Sequence, residues 1–108
     1  MFKLALSPTY TWPVALEVAA EEGGKRQTLT FHGKFLRLPQ ERIDEIIKTG
    51  LPDLDLCKEV FVGWSGPVFD EDFVFSEVNR DKLLGIAGMR TAVALAWMDS
   101  LPQASRKN

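Results

Sequence analysis

The sequence predicts an α+β fold: a small N-terminal antiparallel sheet, built on a β-hairpin, followed by a C-terminal bundle of three to four short helices. Two observations carry this. Apolar residues alternate with period two in the first 38 residues, and from Pro39 onward they recur at helical spacing. The length of 108 residues suits one hydrophobic core, so residues 1–102 read as a single domain. Residues 103–108, Gln-Ala-Ser-Arg-Lys-Asn, read as a flexible polar tail.

The first strand is marked by Val14, Leu16 and Val18 alternating with Ala15, Glu17 and Ala19. Glu21-Glu22-Gly23-Gly24-Lys25 has the polar, glycine-bearing character of a hairpin turn. The second strand lies within Gln27–Leu38. There Leu29, Phe31 and Phe35 share one parity while Leu36 and Leu38 take the other, so a bulge is expected near Gly33 to bring both sets to one core. Phe2, Leu4 and Leu6 are a candidate third strand. A lone hairpin is only marginally stable, so a helical layer has to cover one face.

Pro39 suits the first turn of a helix carrying Ile43, Ile46 and Ile47, which Gly50-Leu51-Pro52 ends. Asp53 or Asp55 is the expected cap of a second helix whose stripe is Leu56, Val60 and Trp64, with Cys57 and Phe61 beside it. Residues 65–75 form an irregular connection with an acidic trio, Asp70, Glu71 and Asp72. Ser76 is the expected cap of a short third helix bearing Leu83 and Leu84, and Gly85 and Gly88 mark a break. The last helix is expected from about Met89 to Leu101, stopped by Pro102, with Val93, Ala96 and Trp97 on its buried stripe.

Composition narrows the function classes. Thirteen basic and fifteen acidic residues give a formal net charge of −2, without the basic excess that a general nucleic-acid binder uses on phosphates. A single cysteine forms no internal disulfide. The apolar start is too short for a signal peptide and is interrupted by Pro8, and no run approaches the roughly 20 apolar residues of a membrane span. A cytoplasmic protein that engages neither membrane nor nucleic acid is expected.

The chemical inventory is thin. Cys57 sits between Leu56 and Val60 on an apolar helical face and reads as a small buried hydrophobe. His32 shares the parity of Thr28, Thr30 and Lys34, the wetter side of its strand. Structural zinc needs about four Cys or His ligands, and the acidic trio lacks calcium-loop spacing. The alternative of an enzyme using Cys57 or that loop is therefore set aside: no catalytic residue, cofactor or metal site is assigned, and a non-enzymatic module is expected. Aromatics near turns remain, and clustered aromatics anchor protein interfaces. The candidate protein-binding residues are Trp64, Phe69 and Phe73 around the acidic loop, and Trp12 at the edge of the sheet. For Trp12 and Trp64 a place in the core is the competing reading, and Trp97 is expected in the core.

Several stretches also carry a family resemblance. These are Phe2-Lys3-Leu4 with Ser7-Pro8-Thr9-Tyr10-Thr11-Trp12-Pro13-Val14; Thr28-Leu29-Thr30-Phe31 with Gly33-Lys34-Phe35; and Val62-Gly63-Trp64-Ser65-Gly66, Phe75-Ser76-Glu77-Val78-Asn79, Leu83-Leu84 and Gly88-Met89-Arg90. In this order and spacing they resemble the phage tail assembly chaperones, over residues 2–101. The chain departs from that pattern in the loop from Pro67 to Val74, where the family more often has a glycine after its acidic pair.

The resemblance implies a chaperone that coats the tape measure protein of a long-tailed phage in the cytoplasm of the bacterial host and is absent from the mature virion. It implies as further partners copies of itself or a frameshift-extended form, because such proteins are often made in two lengths. Arg106-Lys107-Asn108 is compatible with a slippery codon run, which an AAG codon at Lys107 would exclude. A small structural tail or head–tail connector protein is the alternative.

Overall fold

The computed structural model describes residues 6–102. The elements are β1 (Thr9–Ala19), β2 (Arg26–Leu36), α1 (Gln40–Thr49), α2 (Asp53–Val60), β3 (Phe61–Ser65), α3 (Glu77–Leu84) and α4 (Met89–Ser100). The strands make one antiparallel sheet in the order β1-β2-β3. The fold is α+β, as the switch of periodicity at Pro39 predicts.

The third strand among the described residues comes from a stretch not expected to be one. Leu6 is exposed and lies outside any strand, while Phe2 and Leu4 lie outside the described residues. That strand is Phe61–Ser65, expected at the end of the second helix. The helix ends at Val60 because Phe61 turns extended, at φ −94° and ψ 104°. A run such as Val60-Phe61-Val62-Gly63-Trp64 suits either state. The open edge of β2, whose backbone groups need partners, decides it.

The bulge also moves. β1 and β2 pair without interruption from Thr9↔Leu36 to Ala19↔Arg26, so nothing bulges at Gly33. Leu36 and Leu38 need no reset parity, because the strand stops at Leu36 and Leu38 packs on the core from the connection. The irregularity lies instead in β3, where Lys34 faces Gly63 but Phe35 faces Phe61 and Val62 is the extra residue.

The ladder's phase explains a proline in mid-strand. Bonds from Arg37 N–H to Pro8 O (2.8 Å) and Ala20 N–H to Lys25 O (2.9 Å) continue the register at both ends. Even-numbered residues of β1 therefore bond β2, and odd-numbered ones aim their backbone groups at the open edge. Pro13 is one of these, so its missing N–H costs no ladder bond.

Helices cover one sheet face. Val14, Leu16, Phe31 and Phe35 point into the core, where they meet Val60 and Phe61 and, from α4, Val93 and Trp97. Trp97 is 1% exposed, as expected of a core residue. On the opposite face Thr28, Thr30, His32 and Lys34 are exposed. The cap of α3 is as expected: Ser76 Oγ accepts from Asn79 N–H at 3.0 Å. That of α2 is not. Pro52 occupies the cap position, and Asp53 and Asp55 sit in the first turn, where their charge favours the helix dipole. Between α3 and α4, Gly88 has φ 82°, and a Cβ there would stand 3.2 Å from Leu16 Cδ1. Glycine thus lets the chain turn tightly beneath β1. Among the described residues no helix is long and apolar enough to cross a membrane.

Candidate protein-binding site

The extra residue in β3 has a direct consequence for the aromatic side chains. In regular pairing Phe61 and Trp64 would lie on opposite faces; with Val62 inserted they share the core face, ring centroids 5.6 Å apart. Trp64 is the hub of the cluster that follows. It stacks on Phe73 at 5.2 Å and meets Phe69 at 5.8 Å and Phe75 at 5.5 Å. Phe69 and Phe73 stack at 6.0 Å, and Phe69 meets Phe31 edge-on at 5.1 Å.

The connection from Gly66 to Phe75 owes its shape to this cluster and to its own turns. Gly66, at φ 145°, opens it with a backbone conformation that side chains disfavour. Phe69 N–H bonds Gly66 O at 3.2 Å and Phe73 N–H bonds Asp70 O at 2.9 Å. Trp64 Nε1–H donates to Phe73 O at 2.9 Å, and Asn79 Nδ2–H donates to Val74 O at 2.8 Å, fastening the loop to β3 and α3.

A groove of about 280 Å³ opens between this loop and α3. Its floor is Leu29 and Phe31 of β2. One wall is Val68, Phe69, Asp70 and Phe73; the other is Lys82, Leu83, Ile86 and Met89. Val68 and Ile86 on its rim are 46% and 45% exposed. Asp70, Glu71 and Asp72 are exposed along the loop side.

The structure thus brings together three of the four candidate residues, Trp64, Phe69 and Phe73, each half-buried. The competing readings for Trp64 merge: it packs against the core and supports the groove wall. Trp12 lies elsewhere. It takes part in none of the ring contacts among the described residues and lines a separate groove of about 420 Å³ with Tyr10, Arg37, Leu38, Trp97 and Leu101. Val68, Ile86 and Lys82 also line the groove and were not among the expected residues. Val68 and Ile86 carried a signal, being large apolar residues in segments punctuated by glycine and proline.

Cys57 is fully buried, and its S–H donates to Arg90 O at 3.4 Å. Burial first, and then the charge of Asp53, push the thiol up to about 12, so it stays protonated and packs as a small hydrophobe. Among the described residues no three His, Cys, Asp or Glu side chains converge as metal ligands. No family model, curated protein or solved structure matches the chain.

Proposed function

We propose that the chain is a non-catalytic tail assembly chaperone that holds the tape measure protein of a long-tailed phage reversibly while the tail is built. The observation that carries this reading is the apolar groove walled by Phe69, Phe73 and Ile86, open to solvent on a rigid aromatic base. A tape measure protein is a long helical chain with exposed apolar stripes, and such a stripe fits a groove of this character. Burying Val68 and Ile86 contributes at most about 1.5–3 kcal/mol each, against an association cost of roughly 4–15 kcal/mol. One copy therefore binds weakly. Many copies along one partner, with contacts between neighbouring copies or a frameshift-extended form, would mask the stripe and still yield to tube subunits. The site of action in this reading is the cytoplasm of the bacterial host.

The test is co-expression with the tape measure protein of a long-tailed phage, which this reading expects to find encoded next to the chain. The native chain is expected to co-purify with that protein, Ile86→Asp is expected to lose it with its circular dichroism unchanged, and mass spectrometry of finished particles is expected to find no copies. Undiminished capture by Ile86→Asp, or copies retained in virions, would overturn the reading; retention is the outcome that the structural tail-protein alternative requires.

A further inference from the structure

The second hollow, of about 420 Å³, lies where the start of β1 meets α1 and the end of α4. Its size falls within the roughly 300–1,000 Å³ usual for small-ligand sites. Trp12, Leu38, Ile43, Trp97 and Leu101 give it a largely apolar wall, and Arg37 is the one charged residue among those that line it. Arg37 is held at three points. Its guanidinium lies over the Tyr10 ring, 5.0 Å from the centroid; its Nε–H donates to Ser7 O at 3.0 Å; its backbone N–H donates to Pro8 O at 2.8 Å. The Tyr10 ring is fixed in turn. Ser100 Oγ donates its proton to Trp97 O at 2.6 Å, so the 2.6 Å contact between the two hydroxyls runs from Tyr10 O–H to Ser100 Oγ.

Among the described residues the two terminal nitrogens of Arg37 form no ion pair or hydrogen bond. They present a planar fork of donors, at a fixed place, beside an apolar wall. We propose that this hollow binds a carboxylate carried on an aromatic or branched apolar body. The two carboxylate oxygens accept from the fork in parallel, and the body leaves water against Trp12, Leu38 and Leu101. A free acid and the C-terminal residue of a polypeptide share this chemistry. A phosphate dianion suits the place less, because it needs donors on several sides and most of this wall offers none. An organic cation would meet Arg37 as a like charge.

The probes are N-acetylphenylalanine, its neutral amide, and a hexapeptide ending in phenylalanine with a free carboxylate. Each is titrated into the native chain, and the indole N–H signal of Trp12, assigned with Trp12→Phe, reports binding by nuclear magnetic resonance. The acid is expected to shift that signal and to bind at least about tenfold tighter than the amide, while the Ile86 methyl signals of the other groove stay in place. Arg37→Gln is expected to abolish the preference for the acid with circular dichroism unchanged. The control Arg26→Gln removes the same charge from the far end of the hairpin and is expected to keep it. Hexapeptide binding as tight as that of the capped amino acid, or tighter, assigns the site to a polypeptide terminus; binding of the capped amino acid alone assigns it to a free acid. Either result supports the shared chemistry.

Equal binding of acid and amide would overturn the proposal, as would a preference that survives Arg37→Gln or is lost equally in Arg26→Gln. So would a Trp12 signal that none of the three probes moves. The hollow is separate from the groove beside α3, so such a result leaves capture of the tape measure protein untouched, and loss of that capture leaves acid binding here untouched.

Discussion

The indole of Trp64 and the carbonyl of Phe73 meet across 2.9 Å, so the last apolar residue of the sheet holds the far end of the loop that walls the groove. The bond ties strand geometry to groove geometry. Loosening it is expected to move Phe73 before it disturbs the distant core around Trp97.

Trp64→Phe keeps a ring in the cluster but removes the donor and leaves the Phe73 carbonyl without it. The expected cost is about 1–2 kcal/mol in urea unfolding. Capture of the tape measure protein should fall by more than stability predicts, because a wall of the site is released. Unchanged binding with reduced stability would show that the bond serves the core alone.

Gly33 and Gly63 both lie in the sheet, yet a methyl group is tolerated differently at each. A Cβ on Gly33 would stand 3.0 Å from Phe35 Cε2 and 3.1 Å from Val14 Cγ2, two fully buried side chains. A Cβ on Gly63 would stand 3.2 Å from Lys34 Cβ and Cδ, on an exposed and flexible side chain. Gly33→Ala is expected to destabilise by about 1–3 kcal/mol, and Gly63→Ala by clearly less. Urea midpoints measured side by side decide it, and equal costs would refute the packing account.

What the sequence made legible follows from the range of the forces involved. Ser76 as a cap, the glycine break before α4 and the alternation of Val14, Leu16 and Val18 are local signals, and each appears where the chain places it. β3 was hidden because Val60–Trp64 satisfies helical and extended patterns alike, and only the unpaired edge of β2, distant in sequence, chooses between them. The same miss carried Trp64 onto a helix. Of the site, Phe69 and Phe73 were visible as loop aromatics, but the wall opposite them is made by Lys82 and Ile86, which only the docking of α3 brings near. Trp12 and Trp64 look alike in sequence. They part because the bulge at Val62 turns Trp64 into the loop cluster, while Trp12 lies toward the end of α4.

Among the described residues no strand pairs with the outer edge of β1, and Pro13 interrupts the row of donors along it. Pro13→Val would restore an N–H there without disturbing the bonds to β2, since that position faces outward. The variant is expected to remain folded and to self-associate more readily than the native chain at high concentration. Light scattering and gel filtration read this directly. A variant that stays as monodisperse as the native chain would show that the edge is protected by something other than proline.

The thiol of Cys57 reports on the core. Its folded value, pushed up to about 12, lies above the usual thiol value of 9.0. Below about pH 9 both folded and unfolded chains hold the proton, and the contribution of this group to stability is complete. As pH rises further the unfolded chain ionises first, so stability falls, and Cys57→Ala should lack that part of the decline. Native protein is also expected to react slowly with a thiol reagent near neutral pH and quickly in denaturing urea. Rapid labelling of the native chain would contradict the buried placement.

Arg42 grips Glu59 with two parallel bonds, Nε to Oε2 at 2.8 Å and NH2 to Oε1 at 2.6 Å, joining α1 to α2. Hydrogen bonding to Arg42 holds the Glu59 carboxyl below the usual value of 4.5, with burial opposing it. The sign is then fixed. Above about pH 4.5 the carboxylate is charged in both folded and unfolded chains, and the bridge contributes fully. As pH falls below 4.5 the unfolded chain takes up its proton first, so this stability is lost on the way down to the lower folded value. Both side chains are partly exposed, at 38% and 28%, which keeps the effect within the small range of surface ion pairs. Glu59→Gln should lower the urea midpoint slightly at pH 7 and should converge on the native chain as the pH falls below 4.5 through the lower folded value, where the native glutamate is itself neutralised. A difference that stays constant over this range would show that the two helices are joined by packing and not by charge.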